Sequence, residues 1–306
     1  MTKDKVIFIV GPTSSGKTQV SLDLAEKLNA EIISCDSMQI YKNMDVLTSA
    51  LRAEHTKKIP HYLIRELDPS CEYSAAIFAD KAQEIIPDII SRGKTPLIVG
   101  GTGLYMKSLL DGLFESPSKD EYLRAELTKE AEEKGTAHLF DRLKKVDPAT
   151  CEKISPNDLK RIIRALEVYE LTGDTIHEMK KTSFGIAEKY DCRIFALEFP
   201  RDILYARIND TVDRMFDGGI VDEVKGLRER ELSLTAGKAL GIKEIFDLLD
   251  GKRSVDQTKE ELKKNTRRYA KRQLTWLRGD ERVEWVDGGR ETEEVVNDVL
   301  ERLGNN

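Results

Sequence analysis

Val6-Ile7-Phe8-Ile9-Val10-Gly11-Pro12-Thr13-Ser14-Ser15-Gly16-Lys17-Thr18 joins an unbroken apolar run to the pattern G-x-x-x-x-G-K-[ST]. The five apolar residues predict a buried parallel strand. Gly11 and Gly16 let the backbone curl so that its N–H groups face an anion. The helix expected from Lys17, apolar at Val20, Leu22, Leu24, Ala25 and Leu28, aims its positive end at the same place. Strand, loop and helix together predict a phosphate site built by Gly11, Thr13, Ser14, Ser15, Gly16, Lys17 and Thr18. The motif does not specify which phosphate compound is held.

Further along, Pro96-Leu97-Ile98-Val99 reads as a second strand running into Gly100-Gly101-Thr102-Gly103-Leu104-Tyr105. A nucleotide hydrolase on this plan is expected to carry an acid at such a strand end, to hold Mg²⁺ or steer water. Glycine stands there, which argues against water activation. The acid at a strand end close to the loop in sequence is Asp36, after Glu31-Ile32-Ile33-Ser34-Cys35. Ligands of open parallel sheets bind outside the carboxyl ends of the strands, so the loop, Asp36 and Thr102 should converge on one crevice. The set suits an anionic leaving group on Lys17 and N–H donors, a Thr102 hydroxyl near the bridging oxygen, and a carboxylate accepting a proton from a nucleophile. Two simpler roles stay open: Asp36 as a turn cap or Mg²⁺ ligand, and Thr102 as a helix N-cap.

Seven blocks extend these motifs along the chain: Gly11 to Thr18, Asp36 to Tyr41, Ile59 to Ile64, Tyr73-Ser74-Ala75, Val99 to Tyr105, Asn157 to Tyr169 and Arg267 to Trp276. Through them the sequence resembles the bacterial tRNA dimethylallyltransferases, also called tRNA isopentenyltransferases. The resemblance implies transfer of a dimethylallyl group from dimethylallyl diphosphate to N6 of the adenosine 3′ of the anticodon, with Mg²⁺ bridging diphosphate oxygens. It implies that Asp36 is the general base and that Thr102 bonds the oxygen between allyl group and diphosphate. Thr13, Lys17 and Thr18 would hold the diphosphate, Thr18 meeting the metal mainly through it, and Arg207 would add a second cationic contact. The chemistry is consistent, because an allylic carbon departs as a stabilised cation once its leaving group is neutralised. The chain departs from the family where members commonly read Asp-Ile-Gly-Thr-Ala-Lys-Pro. It has Asp45-Val46-Leu47-Thr48-Ser49-Ala50-Leu51, with Met38 and Tyr62 where Arg and His are common. These changes bear on nucleotide contacts and substrate choice more than on reaction class.

Hydrophobic residues make up 40% and charged residues 34% of the 306. This composition fits a soluble globular protein, and the length is enough for one large α/β domain plus a smaller unit. Apolar runs fall short of the ~20 residues of a membrane span, and the expected location is the cytoplasm. Cys35, Cys71, Cys151 and Cys192 have no paired C-x-x-C spacing, and the four histidines have no ligand pattern, so a structural zinc site is not expected. Strand and helix signals alternate from 5 to 112. Helical periodicity then dominates from 118 to 183, with Gly173 a C-cap signal, before strands return at Cys192–Leu197 and near Arg282–Val286. The expected fold is a P-loop NTPase-like parallel sheet flanked by helices, formed by 1–115 and 190–306, with an all-helical insertion at 116–189.

The net charge is −6, yet Lys263 to Arg278 holds seven cations and no acid. Lys264, Arg267, Arg268 and Lys271 recur at i, i+3, i+4 and i+7, one helical face, with Arg272 beside them, while Tyr269, Trp276 and Leu277 can pack inward. Such a stripe suits a phosphate backbone, here the tRNA anticodon stem-loop; a solvated face paired with acids is the plainer alternative. Lys160, Arg161 and Arg164 form a second basic set on the insertion. The target adenine must leave its stack to react, and Ser37 and Gln39, beside Asp36, are candidates to meet it. A monomer is the expected state. Competing functions are an adenylate isopentenyltransferase acting on free AMP, ADP or ATP, a P-loop kinase, and a non-catalytic RNA-binding protein with a relict loop.

Overall fold

The computed structural model describes residues 3–50, 58–113, 117, 119–181 and 183–304. Six strands, β1 (Lys5–Val10), β2 (Ala30–Cys35), β3 (His61–Tyr62), β4 (Thr95–Gly100), β5 (Asp191–Glu198) and β6 (Val283–Asp287), form one sheet in the order β3-β2-β4-β1-β5-β6. Every neighbouring pair is parallel. The α-helices described are α1 (Lys17–Lys27), α2 (Ala75–Ser91), α3 (Gly103–Asp111), α4 (Glu121–Lys134), α5 (Thr136–Val146), α6 (Pro148–Cys151), α7 (Leu159–Thr172), α8 (Ile176–Lys181), α9 (Arg201–Asp217), α10 (Ile220–Arg228), α11 (Ile242–Leu249), α12 (Val255–Arg278) and α13 (Thr292–Arg302). Among the described residues no helix is long and apolar enough to cross a membrane.

β1 is apolar throughout because both its faces are covered. Side chains alternate across a strand, so Val6, Phe8 and Val10 join one core with Phe78, Ala82 and Ile86 of α2, while Ile7 and Ile9 join another with Leu24 of α1 and Val296 and Val299 of α13. β3 is absent from the sequence expectations. Two residues carry no periodicity; His61 and Tyr62 pair with Ile32 and Ile33, and the Tyr62 hydroxyl donates to Glu31 Oε2 at 2.8 Å.

The chain divides into a core, up to Leu110 and from Ile186 onward, and a helical unit, Asp111–Gly185. The observed boundaries lie a few residues before the expected 116 and 189. Helix α3 runs on to Asp111, and the buried Ile186 begins a short 3₁₀ turn that belongs to the sheet's core. The helical unit has its own apolar centre, including Leu127, Leu139, Leu143, Ile162 and Leu166. Its helix ends are capped as their residue types predict: Asp120, Asp147 and Asp158 each accept an N–H three residues on, and Gly173 closes α7 at φ 79°.

Glu167 of α7 is fully buried, with its carboxylate meeting Arg124 at 2.7 and 2.9 Å, Arg164, and the Asp120 N–H at 2.9 Å. Burial alone would raise its pKa, but the hydrogen bonds from Arg124, Arg164 and Asp120 outweigh it and hold the group down to about 2. The lowered folded-state pKa means that this stabilisation is present above the ordinary carboxylate range and fades as pH falls from about 4.5 toward 2. Glu167→Ala should cost on the order of 3 kcal/mol near neutral pH, because it strands two arginines. Urea unfolding at pH 7 and pH 3 should show the gap between wild type and variant narrowing in acid.

Candidate active site

Val10, Cys35 and Gly100 are level in the register of β1, β2 and β4. The next residues, Gly11, Asp36 and Gly101, therefore leave the sheet at one carboxyl edge, where parallel sheets bind ligands. The strand order switches there, since β2, β3 and β4 lie on one side of β1 and β5 and β6 on the other. Gly100 also settles what cannot occupy the edge. A Cβ on it would lie 2.0 Å from the Cys35 carbonyl oxygen, so the acid expected of a hydrolase is sterically excluded from that position.

The loop after β1 is folded tightly on itself. Lys17 Nζ donates to the carbonyls of Gly11 at 3.0 Å and Pro12 at 2.7 Å. Burial brings the Lys17 pKa down from its ordinary value to about 8, opposed by the charge of Asp36. Ser14, at φ 63°, donates through Oγ to Thr211 Oγ1 at 3.0 Å, and its carbonyl accepts from Arg207 Nε at 3.0 Å. Arg207 thus stands on the loop, its guanidinium 4.7 Å above the Phe199 ring. Thr18 is exposed in the first turn of α1.

Asp36 Oδ1 accepts from the N–H groups of Met38 at 2.8 Å and Gln39 at 3.3 Å, leaving Oδ2 without a donor among the described residues. The same side chain therefore caps its turn and offers a basic oxygen. Thr102 occupies the N-cap position of α3, where its carbonyl accepts from Tyr105 and Met106, but its hydroxyl is not a cap. Oγ1 accepts from the Ser37 N–H at 3.2 Å, tying the Thr102 and Asp36 turns together. Tyr269 of α12 shares a side-chain hydrogen bond with Thr102; burial, aided by the Asp36 charge, pushes its phenol up to about 12.

A cavity of about 1010 Å³ opens over these groups. Lys17, Arg65, Arg207, Arg214, Lys238 and Arg272 line it against the acids Asp36, Asp45 and Asp210, giving a basic chamber suited to a polyanion. The atypical segment forms part of its wall, with Leu51 outside the described residues. Glu223 fixes that wall by accepting the N–H groups of Val46 at 2.9 Å and Leu47 at 2.8 Å. Gln39 serves the same wall, donating to the Thr48 carbonyl at 3.3 Å, so its amide is engaged within the protein.

The basic helix α12 is less uniform than its sequence. Lys263 pairs with Asp213 and Glu260, Lys264 with Glu261, and Arg267 donates to Asn209. Arg268, Lys271 and Arg272 are exposed and without an acidic partner among the described residues; Arg272 lies over the Tyr269 ring. On α7, Lys160 and Arg161 are exposed, Arg161 beside Asp158, whereas Arg164 clamps Glu167 and the Pro117 carbonyl. Its guanidinium is committed to the core of the helical unit rather than displayed.

Sequence reading missed Tyr269, Glu223 and above all Gln273, whose buried amide touches both the loop and Gly101. The available signal was one amide on the otherwise largely apolar face of α12.

Fold and site together define a phosphate-binding α/β enzyme equipped for group transfer rather than hydrolysis. Known proteins narrow the class. The IPP transferase family model matches residues 39–280, and an isopentenyl transferase model matches 4–69. The tRNA dimethylallyltransferase of Geobacter sulfurreducens is 44% identical over 94% of this chain and 93% of its own, and that of Carboxydothermus hydrogenoformans is 44% identical over 99% and 98%. Among solved structures, the full-length tRNA isopentenylpyrophosphate transferase of Bacillus halodurans superposes with a TM-score of 0.72 at 39% identity, covering 99% of this chain and 97% of that one. A eukaryotic dimethylallyltransferase acting on tRNA gives 0.78 at 30% identity, covering 98% and 77%. The chain belongs to the IPP transferase family and, within it, to the tRNA dimethylallyltransferases.

The state of Lys17 sets a pH dependence. Its free amine is half charged near pH 8, so pyrophosphate affinity should fall above that value, by roughly tenfold from pH 7 to 9. Lys17→Arg keeps its charge across the range and should show a correspondingly smaller loss in parallel calorimetric titrations.

Proposed function

We propose that the protein moves a dimethylallyl group from dimethylallyl diphosphate to N6 of the adenosine 3′ of the anticodon in tRNA, releasing diphosphate. The observation that carries the reading is the shared edge at which an anion loop, a carboxylate with an open oxygen, and a glycine that excludes a water-activating acid all meet. The family relationship supports the choice of donor and acceptor.

In this reading Lys17 turns from the loop carbonyls to the diphosphate, joined by Arg207 from above and by Thr13 and Thr18. Charge that develops on the leaving group is met by cations already in place, which is where fixed charge lowers a barrier most. Thr102, held by Ser37, bonds the oxygen between allyl group and diphosphate. Asp36 accepts the proton that N6 loses as the new C–N bond forms, through the oxygen that the turn does not use. The expelled diphosphate carries away the electron pair of the broken C–O bond.

The exposed Thr18 hydroxyl in the first turn of α1 would suit Mg²⁺, which keeps several waters and binds largely through substrate phosphates. The bound ion would supply charge neutralisation for the diphosphate. In this reading the exposed cations Arg268, Lys271 and Arg272 follow RNA phosphates.

Transfer of labelled dimethylallyl from its diphosphate, with Mg²⁺, to unmodified tRNA and in parallel to AMP and ATP tests the proposal. Label should enter tRNA, falling about 10²–10⁴-fold in Asp36→Ala and about 10²-fold in Thr102→Ala. Label confined to the free nucleotides, or undiminished transfer by Asp36→Ala, would overturn it. The double variant Arg268→Ala/Lys271→Ala should weaken tRNA binding across sequences. It should also reduce the slope of log affinity against log salt by about 1 per lost phosphate contact, measured by filter binding.

A further inference from the structure

We infer that Gln273 is a positioning residue for the diphosphate, its amide locking the anion loop to the turn after β4. The inference rests on the proposed reading of the loop as a diphosphate site.

The buried face of α12 carries Leu262, Thr266, Ala270, Gln273 and Leu277. An amide in such a seam costs free energy unless both its ends are bonded. Both are. Oε1 accepts from the Thr13 N–H at 2.9 Å, and Nε2 donates to the Gly101 carbonyl at 2.9 Å. These two backbone groups belong to peptides that have just left the strand ladder, where partners end and loop geometry is otherwise free to vary. Gln273 replaces the missing ladder bonds with one rigid, planar link between β1's loop and β4's turn.

The turn is shaped to receive the helix. A Cβ on Gly101 would fall 2.3 Å from Gln273 Nε2, and one on Gly103 would fall 2.4 Å from the Trp276 ring. Two side chains, three residues apart on α12, thus each lie where a glycine has removed its own side chain, and Thr102 stands between those glycines. Displacing Gln273 therefore disturbs the loop and the setting of Thr102 together, although Gln273 touches neither reacting atom.

The polarity of the pair dictates an amide. One end must accept and the other donate, which a carboxylate cannot do. It would repel the Gly101 carbonyl and add negative charge beside a loop built for anions. A neutral carboxylic acid, by contrast, reproduces both bonds in nearly the same shape.

This isosterism provides the test. Inorganic pyrophosphate is titrated by calorimetry into wild type, Gln273→Glu and Gln273→Leu between pH 5 and 8, with thermal melts and tRNA affinity measured alongside. At pH 7.5 both variants should bind pyrophosphate about tenfold more weakly. The deficit of Gln273→Glu, taken as a ratio to wild type at each pH, should shrink as the introduced carboxyl gains its proton. The deficit of Gln273→Leu should stay constant, and tRNA affinity should hold in both. Wild-type affinity in Gln273→Glu at pH 7.5, or a deficit that ignores pH and tracks only a lowered melting temperature, would overturn the inference and leave the proposed function standing. Failure of wild type itself to bind pyrophosphate would overturn both.

Discussion

The level register of Val10, Cys35 and Gly100 is the constraint on which the rest depends. Parallel strands end together only if their ladders are in step, and at that edge each strand leaves backbone groups that the next residues must satisfy. The three ends solve this differently. After β2, Asp36 takes two N–H groups into its own carboxylate. After β4, the Thr102 N–H returns to the Cys35 carbonyl at 3.4 Å, and Gly101 hands its carbonyl to Gln273. After β1, the chain closes into a loop with a buried ammonium inside it. The site is therefore made from the unfinished business of the sheet, which is why it needs so few dedicated side chains.

Group transfer in preference to hydrolysis follows from the same edge. Where β2 and β4 run side by side, the Cys35 carbonyl occupies the space a side chain at position 100 would need. An acid there would require the strands to part. The carboxylate instead sits one strand over, at Asp36, held by its turn through one oxygen and with the other open. In the proposed reading, a carboxylate so placed serves a nucleophile arriving at the cavity rather than a water bound beneath the phosphates. The Ser37–Thr102 bond keeps that carboxylate's turn and the hydroxyl of the neighbouring turn in fixed relation.

What could be read from the sequence was whatever is local. Apolar runs marked β1, β2, β4 and β5, because strands buried on both faces need no partner to announce themselves, while the edge strand β6 showed only through the short stretch ending at Val286. The loop motif and the glycine-rich turn stood out by spacing. The unread part is long-range. Thr13 and Gln273 are 260 positions apart, and nothing near either residue says that an amide on one helix completes a loop at the far end of the chain. Likewise Glu223, on a helix with an ordinary amphipathic pattern, proves to hold the wall at Val46 and Leu47. β3 is too short to have a period, and Arg164, read as a displayed cation, turns inward because Glu167 on the next turn is buried and must be paired.

Charge on α12 shows how far a sequence count can be trusted. Seven cations without an acid look like one continuous stripe, but acids supplied by α9 and by earlier turns of α12 itself reach the first of them. A cation already paired releases few counterions on meeting a phosphate, since its gain is offset by the partner it must leave. In the proposed reading the electrostatic pull on tRNA therefore resides in the later turns, at the exposed Arg268, Lys271 and Arg272. Those turns also carry Gln273 and Trp276 on other faces, packed against the loop and the Gly101–Gly103 turn. A helix is stiff over such a length, so the position of those exposed cations is referred directly to the position of the anion loop. In the proposed reading, one stiff element thus meets the RNA backbone with one face and, with another, sets the loop that takes the diphosphate.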